Sequence, residues 1–283
     1  MIQNIELSLF WAAVVAYAVS GVLIGYMMAF DRQRLWRYAA PVLVAGFIAH
    51  TVSLVLRWVV TGHVPTIGNY ENGSIAGWFI MAFVLWFALR RPEMRLAAAL
   101  AIPVAVITMG VGLMADTGEV SPMVASLRSW WLYVHIFFAW AATGALSFAS
   151  GAAVLLLIRD SKLKKGEALT EGGLLHRLPS EDKIDELIYR NIVLGFIAYV
   201  AMIASGALWA KDLWGAYWSW DPVETWSLVS WMVYGLILHM RFTFGWRGVR
   251  MAWLVVLALL TVFLTMFGVN FAVESSMHIF NVR

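Results

Sequence analysis

Six histidines are the side chains best able to bind a transition metal in this sequence. The chain of 283 residues contains no cysteine, so it can form neither a disulfide nor a thiolate metal site of its own. A buried histidine is more often a hydrogen-bonded packing residue than a ligand, so the position of each one must decide its role. The histidines are His50, His63, His135, His176, His239 and His278.

Residues 209–226, the aromatic segment, form the densest chemical feature of the chain. Five tryptophans and one tyrosine occur within these 18 residues. Such rings collect at membrane–water interfaces, although one or two at each helix end are enough there. The alternative is a flat apolar surface that binds a large planar ligand by ring stacking. The rings belong to Trp209, Trp214, Tyr217, Trp218, Trp220 and Trp226.

The acidic residues of the aromatic segment fit the start of a helix better than they fit catalysis. Asp221 is followed by Pro222 and, three residues after the aspartate, by Glu224. An N-cap residue, a proline at the first helical position and a glutamate at the third are typical of a capping box. We therefore expect Asp221 and Glu224 to begin a helix.

The elements that position these residues are expected to be membrane helices. The chain is 62% hydrophobic and only 13% charged, and its mean hydropathy is +0.77. A soluble domain has about 25% charged residues, so this composition calls for membrane lipid as the main solvent. The net charge of +3 is not gathered into one basic patch, so no nucleic-acid partner is expected.

About eight apolar stretches approach the roughly 20 residues that a helix needs to cross a bilayer. They predict an all-α, polytopic integral membrane protein with one transmembrane domain over residues 1–283. The first stretch is too long for the apolar region of a signal peptide. The stretches are residues 5–30, 39–60, 74–89, 96–114, 130–158, 191–210, 224–240 and 251–271.

Lysine and arginine predict the orientation of these spans. If the N-terminus lies outside, 16 of the 20 basic residues fall in loops on the inner side, as the positive-inside rule requires. Both termini and the aromatic segment then face outward, and residues 159–190 form a cytoplasmic linker. The inner loops are residues 31–38, 90–95, 159–190 and 241–250.

The predicted topology places two histidines at the face of the aromatic segment and a third far from it. His135 near the start of the fifth span and His278 beyond the eighth fall at the face of the aromatic segment, which suggests a bis-histidine site there. Met277 is a weaker alternative ligand. His239 is 13 residues from Trp226, or about 20 Å along a helix, so it cannot reach the same site.

The remaining histidines have weaker claims to a ligand role. His50 falls in the middle of the second span, where it either packs with a hydrogen-bond partner or completes a site near the inner face. His63 is expected to shape an outer loop, and His176 to be solvated in the linker.

Residues 214–226, WGAYWSWDPVETW, resemble the WWD signature of proteins that handle haem in cytochrome c biogenesis. The resemblance is to the CcsA (ResC) family of the system II pathway, which is related to CcmC and CcmF. It extends over most of the chain in consistent order. The further matching motifs are Arg57-Trp58, Gly62-His63-Val64-Pro65, Asn69-Tyr70-Glu71, Trp131 to His135, and Leu238 to Arg241.

The resemblance implies where haem b binds. His135 and His278 match the two periplasmic axial ligands of the family, and His239 matches a ligand to a second, membrane-embedded haem. The other ligand of that second haem would come from a CcsB (ResB) subunit. The residues expected to contact haem around the periplasmic site are Trp214, Tyr217, Trp218, Trp220, Asp221 and Trp226.

The resemblance also implies a function in the bacterial inner membrane. The chain would carry haem b outward and present it to the Cys-x-x-Cys-His segment of apocytochrome c for thioether attachment. Synthase activity is expected only in complex with the CcsB-type subunit, and a periplasmic thioredoxin-like reductant is a possible further partner. The alternatives are a CcmC-like haem exporter or chaperone without synthase activity, and an unrelated transporter whose aromatic segment lines a substrate entrance.

Overall fold

The protein is an α-helical membrane bundle. The computed structural model describes residues 2–115, 129–166 and 178–268, and every regular element in these ranges is a helix. Seven of the helices are long and apolar enough to cross a membrane, which confirms the all-α, multi-pass fold expected from composition. The eight α-helices are α1 Ile2–Ala29, α2 Trp36–Thr61, α3 Gly68–Arg90, α4 Arg95–Ala115, α5 Trp130–Lys164, α6 Glu181–Trp214, α7 Pro222–Phe244 and α8 Val249–Phe263.

Helix α7 is the one described α-helix that is not among those seven. Its sequence includes several hydroxyl and charged side chains, which lower its hydropathy. Glu224, Ser227 and Ser230 are nevertheless buried within the bundle. These three polar residues of α7 therefore face the protein interior, where partners can satisfy them.

Three helices extend beyond the apolar stretches that predict them. Helix α3 begins at Gly68 rather than near residue 74, and α6 begins at Glu181 rather than near residue 191. Helix α5 continues to Lys164, so the linker predicted for residues 159–190 is helical at both of its described ends. Hydropathy detects only the part of a helix that lies in hydrocarbon, whereas the backbone hydrogen bonds continue into the polar residues beyond it.

Successive helices run in opposite directions. At one end of the bundle, hereafter the cavity end, the hydroxyl of Ser53 near the end of α2 donates to the carbonyl oxygen of Glu6 in α1, at 3.1 Å. At the same end, Thr265 directly after α8 donates to the carbonyl oxygen of Trp226 in α7, at 3.1 Å. The described chain consequently begins and ends at the cavity end.

The opposite end, hereafter the basic end, is held by a buried ion pair and a backbone hydrogen bond. Asp185 of α6 accepts from Arg241 of α7 at 2.7 Å and from the backbone nitrogen of Gly248, which precedes α8, at 2.8 Å. Among the described residues, every lysine and arginine except Arg57 and Lys211 lies toward this end. The loops predicted to lie on the inner side thus share one end of the bundle, and the side of the membrane that this end faces stays a prediction.

The helices approach each other closely at glycine residues. A Cβ on Gly73 of α3 would lie 2.9 Å from the Cα of Gly112 in α4, and a Cβ on Gly151 of α5 would lie 2.6 Å from the carbonyl oxygen of Ala97. Small residues permit such contacts between membrane helices, which associate through close packing. Helix α5 is the most buried of the seven spans, and it positions His135.

Candidate functional site

A cavity of about 430 Å³ opens among the helices at the cavity end. Its volume is within the usual range for small-molecule sites, about 300–1,000 Å³. The first turn of α3, the first half of α5 and the second half of α6 form most of its wall. The last residue of α4, the connection before α7, the start of α7 and the residues directly after α8 complete it, so widely separated parts of the chain meet there.

His135 of α5 lines this cavity and is half-buried. Its Nδ1 atom lies 2.8 Å from the carbonyl oxygen of Met202 in α6. Because a carbonyl oxygen can only accept, Nδ1 is the donor of this bond, and in the neutral ring Nε2 is then the nitrogen with the lone pair. Histidines that bind metals commonly have their second ring nitrogen oriented in this way, so this contact is compatible with a ligand role for His135, which stays a prediction.

Gly206 allows the His135 ring to reach the backbone of α6. A Cβ at this position would lie 2.7 Å from Nδ1 and 2.9 Å from Cε1 of His135, which is closer than packed atoms tolerate. Gly206 is not among the residues predicted from the sequence to shape the site. A glycine inside an apolar helix is a signal for close approach, but it does not say which residue approaches.

The rings of the aromatic segment do not form one flat surface. Trp218 and Trp220 stand nearly perpendicular, with an angle of 87° between their planes, and Trp209 and Trp214 are tilted by 55°. The expectation of a single flat surface was therefore wrong. The segment is divided between the end of α6, a connection at residues 215–221 and the start of α7, and each part orients its own rings.

Only some of the aromatic residues reach the cavity. Tyr217 and Trp218 line it, together with Trp209, whose ring is 6.1 Å from the ring of His135 at an angle of 28°. Trp214 packs beside Trp209 in a small cluster around Leu132, and it does not line the cavity.

Trp220 and Trp226 point elsewhere. Trp220 is 70% exposed and has a backbone φ of 60°, a left-handed conformation that is unusual for a bulky residue. Trp226 is also exposed, and neither ring lines the cavity. Such exposed rings suit the membrane interface.

The capping box predicted at the start of α7 is confirmed. The side chain of Asp221 accepts from the backbone nitrogen of Val223 at 2.9 Å, and that of Glu224 accepts from the backbone nitrogen of Asp221 at 3.2 Å. Asp221 is buried but does not line the cavity, whereas Glu224 does. Asp221 therefore positions α7 and, through it, one wall of the site.

His239 lies at the basic end of α7, away from the cavity. Its ring is exposed, and its Nδ1 is 3.2 Å from the hydroxyl of Thr243. The structure does not bring His239 together with His135. His278, its neighbour Met277, and His176 lie outside the described residues.

The two other described histidines have structural partners. Both ring nitrogens of His50 are within hydrogen-bond distance of hydroxyls, 3.1 Å from Tyr17 and 3.1 Å from Ser74. The alternative in which His50 packs with hydrogen-bond partners is thus the one observed. His63 is buried, and its Nδ1 donates to the carbonyl oxygen of Val64 at 2.9 Å, as expected of a residue that shapes the loop before α3.

The cavity wall is suited to haem, a large planar substrate with polar edges. It is rich in aromatic and aliphatic side chains, and His135 offers a nitrogen ligand. Two of its tryptophans, Trp140 and Trp218, have buried indole nitrogens without a partner among the described residues. Such donors can hydrogen-bond to a bound molecule, so these residues fit a ligand that has both ring faces and acceptor groups.

A family model and individual relatives both connect this chain with cytochrome c assembly. The family described as cytochrome C assembly protein matches residues 67–277. A cytochrome c biogenesis protein CcsA from Synechococcus sp. (strain CC9605) is 34% identical over 246 residues, which are 78% of this chain and 79% of the relative. A CcsA protein from Pyropia yezoensis is 32% identical over 271 residues, with 83% and 84% covered.

The fold is also found among solved structures. The cytochrome c heme lyase CcmF superposes with a TM-score of 0.71 at 18% sequence identity. The match covers 94% of this chain and 47% of CcmF, so this chain spans about half of that longer protein. At this identity the likeness concerns the arrangement of helices alone.

Proposed function

Because this chain belongs to the cytochrome c assembly protein family and acts in cytochrome c biogenesis, we propose that it holds haem b at His135 for attachment to apocytochrome c. The observation that supports this most directly is the hydrogen bond of 2.8 Å from Nδ1 of His135 to the carbonyl oxygen of Met202. In the proposed site Nε2 would be the ligating nitrogen, in a ring that lines an aromatic cavity.

His278 is the proposed second ligand. Thr265 to Phe267, which precede the last described residue by one position, lie in the cavity wall. His278 follows Phe267 by 11 residues, and an extended chain spans up to about 3.3–3.6 Å per residue, so the tail is long enough to return over the cavity. Two imidazoles would keep the iron saturated until the histidine of Cys-x-x-Cys-His replaces one of them.

The aromatic segment is proposed to enclose the porphyrin at this site. Tyr217 and Trp218 would contact the ring, because they line the cavity. Trp214, Trp220 and Trp226 would shape and anchor the segment at the membrane interface, and Asp221 would act by capping α7. Holding both reactants in this way can supply much of the rate enhancement through proximity and orientation.

A second haem site is proposed at His239. The exposed ring lies at the basic end of α7, so a neighbouring protein could contribute the other ligand. The resemblance points to a CcsB (ResB) subunit for this role, in the inner membrane of a bacterium. We further propose that haem b passes from His239 to His135, and that a thioredoxin-like protein keeps the thiols of apocytochrome c reduced.

The proposed function is tested by removing the two outer ligands. We expect His135→Gly and His278→Gly, in the complex with the CcsB-type subunit, to lower the haem content and to stop maturation of cytochrome c. Absorption spectra of the purified complex report the haem, and covalently bound haem reports maturation. His176→Gly, in the linker, is the control and should behave as the wild type.

Other outcomes would contradict parts of the proposal. Wild-type haem content and maturation in both outer variants would exclude the outer site. Haem binding without any maturation, in cells that lack other maturation systems, would favour the exporter or chaperone alternative.

A further inference from the structure

Glu224 has a second carboxylate oxygen that its capping role does not use. Its Oε2 atom accepts three hydrogen bonds, from the backbone nitrogen of Ser219 at 2.9 Å, from the hydroxyl of Ser219 at 3.2 Å and from the backbone nitrogen of Asp221 at 3.2 Å. Among the described residues, its Oε1 atom has no partner. Since three donors already point at Oε2, a proton carried by this side chain must reside on Oε1.

The position of Glu224 would allow its second oxygen to exchange a proton with a molecule in the cavity. Glu224 lines the same cavity as His135, and it is the one carboxylate among the described residues of the cavity wall. No lysine or arginine of the described chain shares that wall. The nitrogen atoms of His135 are assigned to Met202 and, in the proposed function, to iron. Glu224 is therefore the described cavity residue best able to exchange a proton with a bound reactant.

We propose that Glu224 is a catalytic residue, which transfers the proton during thioether formation. The inference rests on the proposed function. A cysteine thiol of apocytochrome c gives its proton to Oε1, and the sulfur forms a bond to the inner carbon of a haem vinyl group. The carbon–carbon double bond becomes single, and a proton returned from Oε1 converts the terminal carbon to a methyl group. One S–H is added across one double bond, so no oxidant or reductant is consumed.

A conservative substitution can separate the capping role of Glu224 from its role in proton transfer. Glutamine is also favoured at the third position of a capping box. In Glu224→Gln the amide oxygen can accept the three hydrogen bonds now made to Oε2, while the amide nitrogen replaces Oε1 and cannot accept a proton. The variant should therefore keep the start of α7 and lose proton transfer.

The test uses the complete complex with its CcsB-type partner, loaded with haem and mixed with reduced apocytochrome c. For Glu224→Gln we expect haem content within about twofold of the wild type, and thioether formation slowed by about 100-fold, as for loss of a general base. Free cysteine thiols ionise near pH 8.5, so the rate of the variant should rise from pH 7 to pH 9 more steeply than the wild-type rate. Glu181→Gln, in the first turn of α6 at the basic end, is the matched control.

The outcomes separate this inference from the proposed function. A wild-type rate of attachment in Glu224→Gln would overturn the catalytic role. Equal losses of haem content and attachment, without the steeper pH dependence, would make Glu224 a cap alone and would also overturn it. Absence of haem from the wild-type complex would instead contradict the proposed function.

Discussion

At the scale of single residues, the orientation of His135 depends on two features of α6. The carbonyl oxygen of Met202 accepts the proton on Nδ1 at 2.8 Å, and Gly206 leaves space for the ring. The carbonyl belongs to the helix backbone, so any residue at position 202 would supply it. The space at Gly206 is that of a missing methyl group, so any other residue would remove it. The properties of the proposed ligand are therefore determined largely by its neighbours.

Gly206→Ala should weaken haem binding without unfolding the protein. Alanine favours the helix by about 1 kcal/mol relative to glycine, but its methyl group would displace the His135 ring. Overpacking of this kind costs about 1–3 kcal/mol, or roughly fivefold to 150-fold in affinity. Haem titration of the purified complex measures the change. Gly25→Ala, which has open space around its Cβ, is the control, and equal affinities in the two variants would contradict the prediction.

At the scale of elements, a buried polar cluster fixes the start of α3. Arg57 of α2 donates to Oε1 of Glu71 at 2.8 Å, and Oε2 of Glu71 accepts from the backbone nitrogen of Ile67 at 2.8 Å. The hydroxyl of Tyr70 donates to Glu6 of α1 at 2.5 Å. Because the first turn of α3 forms part of the cavity wall, these contacts join the first three helices to the site.

Arg57→Met should destabilise the protein strongly, because it leaves Glu71 buried without its cation. Removing one member of a buried ion pair costs about 3–5 kcal/mol. The double variant Arg57→Met/Glu71→Gln should recover part of that loss. Thermal unfolding in detergent measures both variants.

An exposed ion pair provides the comparison for Arg57 and Glu71. Arg190 and Glu186 are 2.7 Å apart on the surface, with side chains 72% and 47% exposed. Exposed pairs contribute about 0–1 kcal/mol, so Arg190→Met should change the melting temperature little. An equal effect of Arg57→Met and Arg190→Met would show that burial does not determine the strength of the first pair.

At the scale of the whole molecule, charge and cavity lie at opposite ends of the bundle. The described lysines and arginines are concentrated at the basic end with His239, whereas His135, the cavity and the aromatic segment lie at the cavity end. From the positive-inside rule we predict that the basic end faces the cytoplasm. The two proposed haem sites would then face opposite sides of the membrane.

Single cysteines can test this orientation, since the chain has none of its own. Ala216→Cys at the cavity end and Lys164→Cys at the basic end replace exposed residues. In intact bacterial cells with a permeable outer membrane, a membrane-impermeant maleimide should label Ala216→Cys and leave Lys164→Cys unlabelled until the inner membrane is opened. The reverse pattern would contradict the assigned orientation.

Much of the architecture follows from the sequence because it depends on local patterns. Apolar stretches predict the spans, and clustered arginines distinguish the two ends. The cap at Asp221 and Glu224 is predictable for the same reason, since its hydrogen bonds join residues no more than five positions apart. The early starts of α3 and α6 were missed, because polar residues continue these helices beyond the apolar stretches.

The details of the site were decided by tertiary structure. His135 meets Met202 across 67 positions of sequence, and the partners of His50 are 33 and 24 positions away. No spacing rule predicts such contacts, because they depend on which helix faces pack together. The perpendicular rings of Trp218 and Trp220 and the need for Gly206 arise in the same way. The sequence by itself determined the helices, the family resemblance and candidate ligands, whereas helix packing determined which of the described residues share a cavity.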